Sequence, residues 1–305
     1  MDMKLVDFLE LYKKDMGPRL RLNTWKTKES IITKRILPYL GEKRMNQIAP
    51  VDIVRWWQNE LMALEKPSGG GFSATYLKTV NNQLCALFNH AVRFYGLSSN
   101  PCRRAESTGS KSAGEMRFWT KDQYLRFSDE IMDKPLSFHA FETLYWCGVR
   151  EGELLALKPR RFDFERGTLT VAESYQRIDG RDVITDPKTP KSKRVIAMPR
   201  FYAEEMEAFL SALDLDPDER IFPVTKYFLS HEMARGSKAA GLEPIRVHDL
   251  RHSHVSLLID MGFSALAIAD RMGHEAADIT YRYAHLFPSV QADMARALDG
   301  ARREN

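Results

Sequence analysis

Residues 245–285 read IRVHDLRHSHVSLLIDMGFSALAIADRMGHEAADITYRYAH. Polar clusters alternate here with apolar runs spaced three and four residues apart, so the stretch predicts packed helices rather than strands. Leu250, Val255, Leu258 and Ile259 form the burying face of one helix. His248 and Arg251 stand three residues apart and share its other face. Gly273 and His274 close a second, shorter helix, and Tyr283 follows nine residues after His274. An Arg, two His and a Tyr on separate elements suggest a site built around an anion. A metal site on His248 and His252, at i and i+4, is the alternative. It lacks the Glu of an HExxH motif and an obvious third ligand.

Charge is distributed to suit an anionic partner. Residues 1–110 carry 17 Lys+Arg against 10 Asp+Glu, a net of +7; the remaining 28 against 31 give −3. A basic first third fits a polyanion clamp, with a solvated helical surface as the plainer reading. In the acidic remainder, an anion site requires a few placed cations. Cys85, Cys102 and Cys147 are odd in number and without a CxxC, which predicts reduced thiols rather than a disulfide framework or zinc site. No apolar run approaches the ~18 residues that a membrane span needs, and MDMKLVDFLE is not a signal peptide, so the expected location is cytoplasmic.

The first hundred residues predict four helices and no strand. Leu5, Phe8, Leu9 and Tyr12 repeat at i, i+3, i+4, i+7 within residues 3–16. A second helix runs from Asn23 to Tyr39, with Trp25, Ile32, Ile36 and Leu37 inward and Gly41 as its stop. Pro50 opens a third, aided by Asp52 in its first turn. The fourth spans Ala74 to Tyr95, with Leu77, Val80, Leu84, Leu87, Phe88 and Val92 inward. RRAESTGSKSAGE (103–115) reads as an interdomain linker.

The second domain opens with a helix capped by Thr120, followed by helices over 137–147, over EGELLALKP, over 202–213 and over 226–240. Between these, residues 162–200 change to short β-branched runs with Arg-Gly and Asp-Gly turns, which predicts one three-stranded antiparallel sheet. Residues 288–305 form an amphipathic helix. The expected class is mainly α with a small antiparallel β-sheet (α+β).

Two cations outside the opening stretch stand out. Arg150, in GVREGELLAL, is placed near a helix N-terminus where backbone N–H groups favour an anion; a surface arginine paired with Glu153 is the alternative. Lys188 lies in TDPKTPKSKRVIAMP between two strands, with Lys191, Lys193 and Arg194 beside it. Such a hairpin tip can lay a lysine against a phosphate, or be no more than a solvated turn.

The sequence HDLRHSHVSLLIDMG, then MGH, then TYRYAH resembles the tyrosine recombinases, or phage-type integrases. Their ordered pattern is Arg, Lys on a hairpin, His-x-x-Arg, His or Trp, then Tyr. Here it falls on Arg150, Lys188, His248, Arg251, His274 and Tyr283, and the block resembles integrases of Gram-positive phages and conjugative elements. The resemblance implies a SAM-like four-helix core-type DNA-binding domain at 1–102, a catalytic domain at 116–287, and a C-terminal helix at 288–305 that docks on a neighbouring subunit. Such integrases commonly carry a further N-terminal arm-binding domain, which is not expected in this chain.

The chemistry implied is strand cleavage by Tyr283 through a 3′-phosphotyrosyl DNA intermediate, with no ATP, metal or cofactor. Arg150 and Arg251 would clamp the phosphorane, Lys188 would protonate the leaving 5′-oxygen, His248 would assist proton transfer from the tyrosine, and His274 would bond the phosphate. Glu153 would orient the arginines and Asp249 would support the His248 helix. Lys191, Lys193, Arg194 and the basic face of 1–102 would contact DNA. The partners implied are double-stranded DNA attachment core sites, three further copies in a homotetramer, and DNA-bending accessory factors, in a bacterial or phage setting. A type IB topoisomerase-like activity and a catalytically silent DNA-binding relative remain as alternatives. Tyr281 is the competing nucleophile, disfavoured by the family spacing.

Overall fold

A computed structural model describes residues 1–63, 69–105, 109, 116–187, 189–273, 283 and 286. The chain divides into two compact units, Met1–Glu115 and Met116–Asn305. Most of 103–115, all of 288–305, and Lys188, His274 and Tyr281 lie outside the described residues.

In the first unit, α1 (Leu5–Met16) buries Leu5, Phe8, Leu9 and Tyr12. Each such side chain contributes roughly 1.5–3 kcal/mol, which holds a helix too short to be stable alone. α2 (Leu22–Ile31) runs through a π turn, Ile32–Ile36, into α3 (Leu37–Leu40). The Trp56 indole N–H donates to the Arg35 carbonyl within that turn at 3.0 Å. α4 (Pro50–Arg55) has Pro50 in its first turn, and the Asp52 carboxylate accepts from the Ala49 N–H at 2.9 Å. A second π turn, Trp56–Leu61, follows and buries Trp56, Trp57 and Leu61. α5 (Ala74–Phe94) is capped by Ser73 and buries Val80, Leu84, Leu87, Phe88 and Ala91. Val92, expected inward, lies one position past that stripe and is 37% exposed. The expected absence of strands needs one amendment: Lys4 and Arg44 form an isolated antiparallel bridge.

The second unit begins at α6 (Lys121–Asp129), capped by Thr120 with Gln123 closing a reciprocal box. α7 (Pro135–Trp146) leads through Gly148 to α8 (Glu151–Leu154), a single turn. EGELLALKP was expected to continue as a longer helix. Pro159 holds Lys158 in extended backbone, and the Leu157 carbonyl instead accepts from the Ile221 N–H at 3.0 Å.

Five strands follow: β1 (Phe162–Asp163), β2 (Thr168–Val171), β3 (Ser174–Ile178), β4 (Arg181–Thr185) and β5 (Arg194–Ala197). They make two sheets, not the single three-stranded one predicted. β2 pairs with β1 on one edge and with β5 on the other, so β3 finds no free edge there. It pairs instead with β4 across the Asp179–Gly180 turn, both residues at positive φ as a two-residue hairpin requires. α9 (Arg200–Ser211), α10 (Lys226–Ala239), α11 (Asp249–Asp260) and α12 (Ala265–Met272) complete the described elements. The main core of this unit gathers Tyr124, Phe127, Phe141, Tyr145, Tyr202 and Leu250, so α6, α7, α9 and α11 share it.

Candidate active site

Arg150 is the N-cap of α8, but the anion at that helix start is already part of the protein. The Glu153 carboxylate accepts from the Arg150 backbone N–H at 2.9 Å and from its Nη1 at 2.6 Å. The guanidinium is 31% exposed, so it keeps a face toward solvent. Glu153 is buried and also takes Arg194: Nη1 to Oε1 at 3.2 Å and Nη2 to Oε2 at 2.9 Å. Burial alone would raise its pKa; the charge and hydrogen bonds of Arg194, then the charges of Arg150 and Arg251, outweigh burial and hold the carboxyl down at about 2. It is therefore a permanent anion that aligns the arginines.

Arg194 was expected among the DNA-contacting cations beside Lys191 and Lys193. The structure turns it inward instead, with its side chain 6% exposed. Besides Glu153 it donates to the Arg271 carbonyl at 3.0 Å and the Ser192 carbonyl at 3.1 Å. Gly273, in left-handed backbone at the C-terminus of α12, permits this: a Cβ there would lie 2.7 Å from the Lys191 carbonyl and 3.1 Å from Arg194 Cδ. Lys191 and Lys193 are on the surface, the latter 3.0 Å from Asp186.

Arg251, in the first turn of α11, is buried. It donates from Nη1 to the Gly148 carbonyl and from Nη2 to the Met272 carbonyl, joining the α7–α8 connection to the end of α12. Burial, then the neighbouring charge of Arg150, pushes its pKa well down, while Glu153 works the other way. Two guanidinium groups thus bond one carboxylate and the charge of a third, Arg251, acts on it, a net excess of positive charge suited to an anionic oxygen.

His248 caps the start of α11 and keeps contact with solvent. Packing around its ring, then the charge of Arg251, lowers its pKa and favours neutral imidazole. Asp249 is buried and accepts from the Arg246 backbone N–H at 3.0 Å and from Arg246 Nη2 at 2.7 Å, which ties down the approach to the helix.

Tyr283 is 1% exposed and packs among Val255, Ile259, Ile268, Ala269 and Met272. Its hydroxyl is hydrogen-bonded to His252 Nδ1. The ring of His252 in turn meets that of His248 edge-on at 5.4 Å. From the sequence, His252 was expected only as an alternative metal partner of His248; among the described residues no group of three His, Cys, Asp or Glu could hold a metal ion. Arg271 was also missed. It donates to His254 Nε2 at 3.0 Å, to the Ala197 carbonyl at 3.0 Å and to the Trp146 carbonyl at 3.1 Å, fastening α12 to α11, β5 and α7. A lone arginine in an amphipathic helix gives no sequence signal of that.

The site thus combines a buried phenol on an imidazole with a cluster of arginines fixed by a carboxylate, on a helical unit carrying two small sheets. Residues 117–289 match the phage integrase family, and residues 4–62 match the SAM-like N-terminal domain of phage integrases. The ICEBs1 integrase of Bacillus subtilis (strain 168) is 30% identical over 296 residues, covering 91% of this chain and 77% of that protein. The fold is shared with the Tn1549 transposon integrase solved with a circular intermediate DNA, at a TM-score of 0.76 and 18% identity, covering 98% of this chain and 99% of that one. It is also shared with a lambda integrase tetramer bound to a Holliday junction, at a TM-score of 0.66 and 20% identity, covering 90% and 78%. The chain belongs to the phage integrase family, the tyrosine-type site-specific recombinases. Among the described residues no helix is long and apolar enough to cross a membrane.

Proposed function

We propose that this chain integrates or excises a mobile DNA element by cutting and rejoining strands at attachment core sites, in the cytoplasm of a bacterial cell. Tyr283 Oη attacks the scissile phosphorus; the Oη–P bond forms and the P–O5′ bond breaks. The products are a 3′-phosphotyrosyl strand and a free 5′-hydroxyl. Arg150 and Arg251 stabilise the added charge on the non-bridging oxygens, an effect worth about 3 kcal/mol per group. Lys188 supplies the proton to the leaving 5′-oxygen, His248 assists proton transfer, and His274 bonds the phosphate. Because the phosphotyrosyl bond conserves the energy of the bond it replaces, rejoining needs neither ATP nor metal. The unit Met1–Glu115 grips the core site through its basic face, with Lys191 and Lys193 adding phosphate contacts. Four copies assemble on two sites with residues 288–305 exchanged between neighbours, aided by DNA-bending factors. The related lambda integrase was solved as a tetramer on a Holliday junction, which favours this assembly.

The observation that carries the reading is the hydrogen bond of the buried Tyr283 hydroxyl to an imidazole, beside arginines aligned by Glu153. The test is a nicked suicide duplex built from the element–chromosome junctions flanking the gene, incubated with the protein in EDTA. A covalent protein–DNA adduct that is lost in Tyr283→Phe and retained in Tyr281→Phe is expected. No adduct on either junction, or dependence on added metal, contradicts it.

A further inference from the structure

We propose that Cys85 and Cys102 form a peroxide-responsive thiol pair, Cys85 as the attacking sulfur and Cys102 as the resolving one, which closes a reversible disulfide inside the first unit. This goes beyond the recombinase reading and does not depend on it. Both cysteines lie outside the catalytic unit, and every readout below is of the thiols themselves.

Placement carries the inference. Cys85 lies on α5 and Cys102 in the short turn Pro101–Arg103, and both thiols are free. Cys102 is buried in the core of the first unit, and the half-buried Cys85 packs against that core. The buried Asn100 side chain holds the two backbones one carboxamide apart. Its Nδ2 donates to the Cys85 carbonyl at 3.1 Å, and its Oδ1 accepts from the Cys102 N–H at 2.8 Å. The same Nδ2 donates to Asn89 Oδ1 at 2.9 Å, which ties the clamp to the next turn of α5. A disulfide therefore closes a loop whose ends the fold has already brought together, which is what the short reach of an S–S bond demands.

The surroundings of the two sulfurs sort their roles. The Cys102 thiol, directed at the Cys85 sulfur, lowers the pKa of Cys85; burial opposes this, and the charge of Lys78, two turns earlier on α5, adds to it. The same contact, then burial, pushes the Cys102 thiol up. The more exposed sulfur is thus also the one that ionises more readily. A low-pKa, accessible cysteine beside a resolving partner is the arrangement of a redox-sensing site. Cys147, in the second unit, is buried and pushed up to about 12, so it serves as an internal control.

The steps balance in atoms and electrons. The Cys85 thiolate attacks one oxygen of hydrogen peroxide; the S–O bond forms, the O–O bond breaks, and the departing oxygen takes a proton and leaves as water. Cys85 is then a sulfenic acid. The Cys102 sulfur attacks it, the S–S bond forms, and the displaced hydroxyl leaves as water with the Cys102 proton. Two thiols are oxidised and one peroxide is reduced to two waters. A small dithiol such as dithiothreitol reverses the change by exchange.

The test treats the full chain with hydrogen peroxide, blocks the remaining thiols with iodoacetamide in denaturant, and maps the peptides by mass spectrometry. The expected product is a monomer lighter by two hydrogens, with a Cys85–Cys102 crosslink, Cys147 alkylated, and the crosslink lost on treatment with dithiothreitol. In Cys102→Ser the crosslink cannot form, and dimedone should trap sulfenic acid on Cys85 about tenfold or more faster than on Cys147. Cys85→Ser should abolish both products. Wild-type protein alone also decides the matter, should either variant fold poorly: the disulfide must form within one chain, and sulfenic acid must appear on Cys85 before Cys102. Oxidation of Cys85 to sulfinic acid without a crosslink overturns the inference. So does a crosslink through Cys147 or between two chains, or peroxide reactivity at Cys85 no greater than at Cys147.

Discussion

Glu153 and Arg194 are joined through both carboxylate oxygens, at 2.9 and 3.2 Å, with side chains only 3% and 6% exposed. The same carboxylate holds Arg150 at 2.6 Å, so one buried anion sets the separation of two guanidinium groups from different elements.

Glu153→Gln leaves Arg194 buried without its counter-charge. Breaking a buried pair by removing one partner costs about 3–5 kcal/mol, and urea unfolding followed by near-ultraviolet circular dichroism should read a loss of that size. The carboxyl titrates at about 2 in the folded chain, below the ordinary 4.5. A depressed folded pKa gives stability that is complete above 4.5 and declines as pH falls toward 2. The Gln variant should lose that part of the acid response.

His254 opens an earlier acid window. Burial, then the charge of Arg271, lowers its pKa to about 3 from 6.5. Below 6.5 the unfolded chain binds a proton that the folded chain refuses. Stability should therefore be complete above 6.5 and fall toward pH 3, by up to roughly 1.4 kcal/mol per unit. Denaturation midpoints at pH 7, 5.5 and 4.5 check this, and His254→Gln should flatten the slope.

Gly148 separates α7 from Arg150 in left-handed backbone, φ 62°, and its carbonyl accepts from Arg251. A Cβ there would stand 2.5 Å from His254 Cδ2 and 3.1 Å from Met272 Sδ. Gly148→Ala should cost about 2 kcal/mol or more from backbone strain and overpacking together. Adduct formation should fall more steeply than stability, because Arg150 and Arg251 both shift. Thermal melts and suicide-substrate rates measured side by side separate the two effects.

Arg251→Lys keeps a charge but cannot reach the Gly148 and Met272 carbonyls with one planar fork. One carbonyl is left unpaired, and adduct formation should drop about 10²–10³-fold, the range for removing one oxyanion donor. Single-turnover cleavage at saturating DNA is the measurement.

Much of the fold was legible because helices write their burial into a three-and-four spacing. Leu5, Phe8, Leu9 and Tyr12 are buried as the pattern required, and Thr120 announced a helix start. The split of the sheet was not legible: short β-branched runs say that strands form, but not which edges β2 has left to offer. The π turns at Ile32 and Trp56 leave no signal either, since their hydrogen bonds depend on the packing of one helix against the next. At the site, the family pattern proposes Arg150, Lys188, His248, Arg251, His274 and Tyr283 as a set. It could not show that Arg194 turns inward to Glu153, nor that His252 rather than His248 meets the tyrosine hydroxyl. Both depend on contacts between residues 31 and 41 positions apart, which no local pattern encodes.

As the nucleophile, Tyr283 becomes covalently joined to DNA. The adduct trapped on the nicked duplex should be digested with nuclease and protease and its peptides sequenced by tandem mass spectrometry. A nucleotide mass is expected on Tyr283 alone, carried as a phosphotyrosine ester. The same mass on Tyr281, or on any serine, cysteine or histidine, would contradict it.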